Sequence, residues 1–134
     1  MASDSLGQPV RDITAAWADA FRRNDPQALS SLYTQDAFFY GSKPELLRGS
    51  KGALHYFSTL PARQSADVEF TDIETVALGQ DVISSAMIGR FSIDGEARRP
   101  VRFTFLVVRE NGAWRISSHH AAPQVWNLQG PSRI

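Results

Sequence analysis

The chain predicts an α+β domain, with three helices gathered at its start and laid across one face of a curved antiparallel β-sheet. Two observations carry this expectation. Apolar residues recur at helical spacing as far as Leu60, and from Ala66 onward the period changes to two, in runs over 66–77, 81–93, 98–110 and 113–122. Those runs are punctuated by Gly79-Gln80, Asp94-Gly95 and Asn111-Gly112. Asn-Gly is a strong hairpin signal, because both residues tolerate the positive φ that a two-residue turn needs.

The elements follow in order. Residues 1–8 read as a flexible leader. Pro9 suits the first turn of a helix, where its missing N–H costs nothing, and Val10, Ile13, Trp17, Ala20 and Phe21 make one apolar stripe. That helix stops at Asn24, since Asp25-Pro26 supplies an N-cap and first-turn proline for a second, shorter helix burying Ala28, Leu29 and Leu32. Ala37 to Tyr40 is short and aromatic and reads as a strand, and Gly41 to Arg48 reads as loop. Gly49-Ser50 opens the third helix, whose apolar face is Ala53, Leu54, Phe57 and Leu60, ended by Pro61. Four long strands follow, and residues 124–134 read as a C-terminal tail. One domain over 1–134 is expected, large enough to bury a core without a metal or disulfide.

Composition narrows the function classes. Lys+Arg and Asp+Glu number 14 each, seven of each sign in each half, so no charged half is set to grip nucleic acid. Cysteine is absent, which removes disulfides, thiolate metal sites and cysteine nucleophiles and agrees with a cytoplasmic setting. The first residues lack a basic start and apolar run, and no stretch approaches the roughly 20 apolar residues of a membrane span. No nucleophile elbow, Gly-rich phosphate loop or dinucleotide fingerprint occurs, so no cofactor is expected.

The last strand ends in His119-His120, and strand geometry sends these neighbours to opposite faces. One imidazole looks into whatever the sheet encloses; the sequence leaves open which. The same geometry prevents the pair from chelating one ion, and no metal is expected. In residues 101–108, Val101, Phe103, Phe105 and Val107 alternate with Arg102, Thr104, Leu106 and Val108, so both faces carry apolar side chains. One face should meet the helices and the other either water in part or a second subunit, and a homodimer through the outer sheet face is expected. Val125 and Trp126 would extend that contact.

This pattern resembles the nuclear-transport-factor-2-like superfamily, which includes SnoaL-like cyclases, ketosteroid isomerases, scytalone dehydratase and the association domain of calcium/calmodulin-dependent kinase II. Roughly residues 9–123 fit its helix-helix-strand-helix-meander order. A bacterial branch related to the kinase association domain is the closer match. The residues carrying it are Trp17, Phe21, Asn24-Asp25 and Ala28-Leu29, then Tyr33, Asp36-Ala37, Arg48-Gly49, Gly52 and Tyr56-Phe57. Arg102, Thr104-Phe105, Arg109, Gly112, Trp114, Ile116, His119-His120 and Pro123 complete the set. Relatives often show three histidines and then two serines where this chain has Ser118, His119, His120, Ala121 and Ala122. The kinase pocket's arginines have no match at Gly89, Phe105 and Ala121, and isomerase carboxylates find no counterpart after Asp36. The resemblance implies a cone-shaped (cystatin-like) fold with an apolar hollow.

Candidate roles follow. His119 or His120 would move a proton, being able to give and take one near neutral pH. Tyr40 or Tyr56 would hydrogen-bond a developing oxyanion, and Trp17, Tyr33 and Phe38 would line an apolar pocket. Arg90 or Arg102, with Arg90 preferred, would hold an anionic group, and Thr104 would orient an inward group. Together these describe binding of a small molecule, with isomerase, cyclase or dehydratase chemistry borrowed from the fold. The alternative is a non-catalytic oligomerisation or ligand-sensing module like the kinase association domain.

Overall fold

The computed structural model describes residues 6–123. The expected tail, with Val125 and Trp126, and the first five residues of the expected leader lie outside the described residues. Helix α1 spans Gln8–Arg22, α2 Pro26–Ser30 and α3 Gly49–Ser58. The strands are β1 (Tyr33–Tyr40), β2 (Leu47–Arg48), β3 (Ala66–Gly79), β4 (Val82–Ile93), β5 (Arg99–Glu110) and β6 (Ala113–Pro123).

Helix α1 begins at Gln8, one residue before the expected proline. It buries Val10, Ile13, Trp17, Ala20 and Phe21 as the stripe predicts. Asn24 turns the chain through a φ of 53°, and the Asp25 carboxylate then accepts from the Ala28 amide at 3.0 Å, capping α2. That backbone bond, with Arg23 beside it, holds the Asp25 carboxyl below the usual carboxylate range. Helix α3 starts at Gly49, φ 71°, where a Cβ would strike the Gln35 carbonyl oxygen. Glycine is needed there because α3 crosses β1 at backbone contact.

The sheet runs β2-β1-β6-β5-β4-β3. Its last four strands form an antiparallel meander, turned at Asp94-Gly95 (φ 52° and 77°) and Asn111-Gly112 (φ 54° and 81°). Positive φ at both central residues matches the right-handed twist of the flanking strands. A bulge between Thr71 and Glu74, with Asp72 at φ 56°, bends β3.

Two features depart from the expectation. Strand β1 begins at Tyr33 rather than Ala37, and it lies parallel to β6, with Phe39 opposite His119 and Tyr40 opposite His120. Only consecutive strands joined by tight turns must run antiparallel, and β1 and β6 are separated by α3 and the whole meander. The Ile116 amide donates to the Leu32 carbonyl at 2.7 Å, and the Arg115 guanidinium to the Ser31 carbonyl, docking β6 where β1 begins. The second departure is β2, a two-residue strand on the outer edge of β1 inside the expected loop.

One core lies between the helices and the inner face of the sheet. Trp17 is its centre: Phe21 stacks on it at 5.2 Å, and Phe57, Phe70, Phe91 and Phe103 meet it edge-on at 5.6–6.1 Å. Burying a ring of this size contributes roughly 1.5–3 kcal/mol, so this cluster holds the helices to the sheet. Among the described residues no helix is long and apolar enough to cross a membrane.

Candidate functional site

Side chains of β1, β4, β5 and β6 that face the helices do not fill all the space beneath them. A cavity of about 570 Å³ opens between α1, α3 and the ends of these strands. Trp17, Phe39, Phe91 and Phe103 contribute apolar walls, Tyr56 and Ser42 a hydroxyl pair, and His119 an imidazole. The Tyr56 hydroxyl accepts from the Ser42 amide at 3.0 Å and lies 2.7 Å from Ser42 Oγ. Gly41 is needed beside it, since a Cβ there would come within 2.8 Å of both the Phe39 and Tyr56 rings.

Pairing with Phe105 on β5 and Phe39 on β1 fixes the parity of β6, turning His119 inward and His120 outward. Only 3% of His119 is exposed. Phe39 stacks on its ring at 4.1 Å and 14°, while Phe103 and Phe105 approach at 5.3 and 5.1 Å. Its Nδ1 lies 2.8 Å from the Tyr33 hydroxyl, which accepts from Trp17 Nε1 at 3.0 Å.

This three-residue relay fixes the tautomer. An indole N–H can only donate, so the Tyr33 oxygen is an acceptor towards Trp17, and its own proton must go to His119 Nδ1 or stay buried without a partner. Burial also pushes the Tyr33 phenol upward, keeping it a neutral donor. His119 therefore carries its proton on Nε2, which has no protein partner among the described residues. Burial, with a smaller contribution from His120, pushes the His119 pKa down to about 3. At neutral pH the ring is an uncharged N–H donor in an aromatic wall.

Of the residues expected at the site, Trp17, Tyr56 and His119 line the cavity, and Tyr33 sits behind it, bonded to two of its neighbours. The others stand elsewhere. Phe38 (50% exposed) and Tyr40 (43% exposed) alternate with Phe39 and lie on the outer sheet face, where Tyr40 meets His120 at 5.8 Å. Arg102 and Thr104 alternate with Phe103 and Phe105 and face outward for the same reason. Arg90 is paired outward too, donating to Thr71 Oγ1 at 3.1 Å and to Asp72 at 3.4 Å. None of Tyr40, His120, Phe38, Arg90, Arg102 and Thr104 touches the cavity: strand pairing puts their neighbours Phe39, His119, Phe91, Phe103 and Phe105 on the inner face, a choice of side that alternation alone does not make when both faces are apolar.

Sequence reasoning also missed residues that the structure brings in. Phe39 forms the wall against His119, and Arg63 reaches the cavity from the segment joining α3 to β3. Phe39 lies beyond a break in the β1–β6 register between Tyr33 and Phe38, so alternation from Tyr33 does not place it, and Arg63, in irregular backbone, carries no periodic signal. A second, open groove lies between α1 and β3, where Asp67 is held by Arg22 (2.9 Å) and Arg98 (2.6 Å). Asp67 is answered there by two guanidinium groups, and among the described residues no histidine or tyrosine lines the groove.

No curated protein matches this sequence. Among solved structures, a provisionally named dehydratase of the NTF2-like family from Streptomyces avermitilis superposes with a TM-score of 0.78 at 18% identity, covering 92% of this chain and 99% of that one. A provisionally named calcium/calmodulin dependent protein kinase II association domain from Xanthomonas campestris gives 0.76 at 19%, over 86% and 85% of the two chains. Hexachlorocyclohexane dehydrochlorinase LinA-type3 from Novosphingobium barchaimii gives 0.76 at 14%, over 97% and 94%. At such identities the likeness is one of fold. The sequence itself matches the SnoaL-like domain over residues 10–125, nearly the whole described chain, and the protein belongs to that family, within the NTF2-like, cystatin-like fold.

Proposed function

We propose that this protein binds a small, largely apolar molecule carrying a carbonyl or hydroxyl oxygen, and polarises that oxygen through His119 Nε2–H. The supporting observation is the Trp17–Tyr33–His119 relay, which ends in an uncharged donor at the wall of a 570 Å³ aromatic cavity. A fixed donor in a dry site stabilises negative charge developing on a carbonyl oxygen at little reorganisation cost. Isomerase, cyclase and dehydratase reactions all pass through such charge, and solved relatives named as a dehydratase and a dehydrochlorinase share the fold. The Tyr56–Ser42 hydroxyl pair is the second polar element of the wall. His119 thus takes the oxyanion-binding part, and the proton is moved by another group or by solvent.

The test is thermal unfolding against a panel of aryl ketones, followed by ¹H NMR of α-proton exchange in D₂O. A ligand at a hundred times its dissociation constant raises stability by roughly 2.7 kcal/mol. His119→Phe keeps the stacked ring and removes the donor, so ketone binding and exchange should both fall while naphthalene binding persists. No stabilisation by any ketone would end the proposal.

A second reading, a non-catalytic association or ligand-sensing module working in the cytoplasm, is favoured by two observations. Among the described residues no carboxylate lines the cavity, and Phe38, Val76 and Leu78 are exposed. In either reading we propose a homodimer through the outer sheet face, where the row Tyr40, His120, Thr104 and Ala86 presents a mixed apolar surface.

A further inference from the structure

The cavity is one-sided in charge. Among the described residues lining it, Arg63 and Arg99 are cationic and none is acidic. Arg99 is spread toward solvent, with Glu96 at 3.7 Å. Arg63 is different. Its guanidinium lies over the Phe21 ring at 4.4 Å, half-buried at the cavity edge.

Its hydrogen bonds are poor for a cation so placed. Nη2 reaches the Phe21 carbonyl and Asn24 Oδ1 only at 3.5 Å, and Nε is sealed from solvent with no partner among the described residues. The acid whose charge acts on it, Asp94, is already engaged: its Oδ1 accepts the Gln64 and Ser65 amides at 2.7 and 2.9 Å. Those bonds hold the backbone next to Arg63 in place, and Lys43 ties the other end of the segment through Thr59 at 3.1 Å. Burial pulls the Arg63 guanidinium below its ordinary range, the direction expected when a cation lacks an adequate counter-charge. Its terminal Nη groups are only weakly engaged, and an arginine so placed on a pinned segment can receive a planar anion in a forked contact through Nη1 and Nη2.

We propose that the ligand is an aryl or other apolar keto acid, its carboxylate on Arg63, its ring among Trp17, Phe91 and Phe103, and its keto oxygen on His119 Nε2–H. This rests on the cavity being the ligand site and names the chemical class that it takes. The two polar anchors sit on different elements, the α3–β3 segment and β6, so a ligand must present its carboxylate and its carbonyl as two separate groups.

Three probes separate the parts: 4-oxo-4-phenylbutanoate, its neutral amide, and 4-phenylbutanoate, which keeps the acid and lacks the ketone. Isothermal titration should show the keto acid binding roughly tenfold more tightly than the amide, the strength of one charge-assisted contact. Arg63→Gln should remove that preference without changing the affinity for the amide, and Arg63→Lys should keep part of it. His119→Phe should weaken the keto acid and amide equally and leave 4-phenylbutanoate unchanged. Equal affinity of wild-type protein for acid and amide overturns the keto-acid assignment while leaving the cavity reading standing. If Arg63→Gln, shown to be folded by circular dichroism, weakens acid and amide alike, Arg63 only closes the end of α1 and the assignment also fails. Binding of none of the three overturns both.

Discussion

The Tyr33 hydroxyl lies 2.8 Å from His119 Nδ1, joining the first residue of β1 to the seventh of β6 across the parallel pair. This contact decides what the histidine can do, because it leaves the proton on Nε2. Tyr33→Phe removes the donor and leaves both Trp17 Nε1 and His119 Nδ1 buried without a partner. The variant should lose roughly 1–3 kcal/mol of stability, measured by urea unfolding. Its His119 ¹⁵N shifts should change from the pattern of a single Nε2–H tautomer to a mixture.

Stability should fall on mild acidification. His119 has a pKa of about 3 when folded and an ordinary value of 6.5, so between these the unfolded chain binds the extra proton. Stability rises with pH wherever the unfolded state holds more protons. It is therefore complete above pH 6.5 and lost as pH drops towards 3, at up to roughly 1.4 kcal/mol per pH unit from this residue. Unfolding titrations from pH 7 to pH 4 should show this slope in wild type and a much shallower one in His119→Phe.

Gly49 and Gly112 share a positive φ, 71° and 81°, but differ in surroundings. An added Cβ at Gly112 meets nothing within 4 Å, whereas at Gly49 it strikes the Gln35 carbonyl. Gly112→Ala should cost only the left-handed strain, roughly 1–2 kcal/mol. Gly49→Ala must in addition push α3 off β1 and should cost clearly more, a difference readable from paired thermal melts.

Thr104 sits between Ala86 and His120 in the middle of the outer face. Thr104→Glu places a charge at the centre of the proposed dimer contact and should convert a dimer to a monomer in light scattering. Ligand binding in the cavity, on the opposite face, should persist.

The sequence announced elements better than faces. Asp25-Pro26, Gly49 and Asn111-Gly112 each carry a local conformational requirement, and each stands where it was expected. Phe38, Phe39 and Tyr40 illustrate the limit: three aromatic residues in a row carry no alternation, and pairing with β6 is what turns Phe39 inward and its two neighbours outward. The same holds for Arg102 and Thr104, whose parity was correct but whose side was set by β6 pairing over a long stretch of chain. Arg63 depends on Asp94 pinning the neighbouring amides, a contact across 30 residues that no local pattern encodes.

The parallel seam between β1 and β6 also governs the order in which the molecule can form. A growing polypeptide emerging from the ribosome would display the aromatic strand Phe38–Tyr40 while its mate, about 80 residues later, is still unsynthesised. Closing so long a loop is entropically slow, so maturation waits on the final strand and the half-made chain is the species most in need of a chaperone.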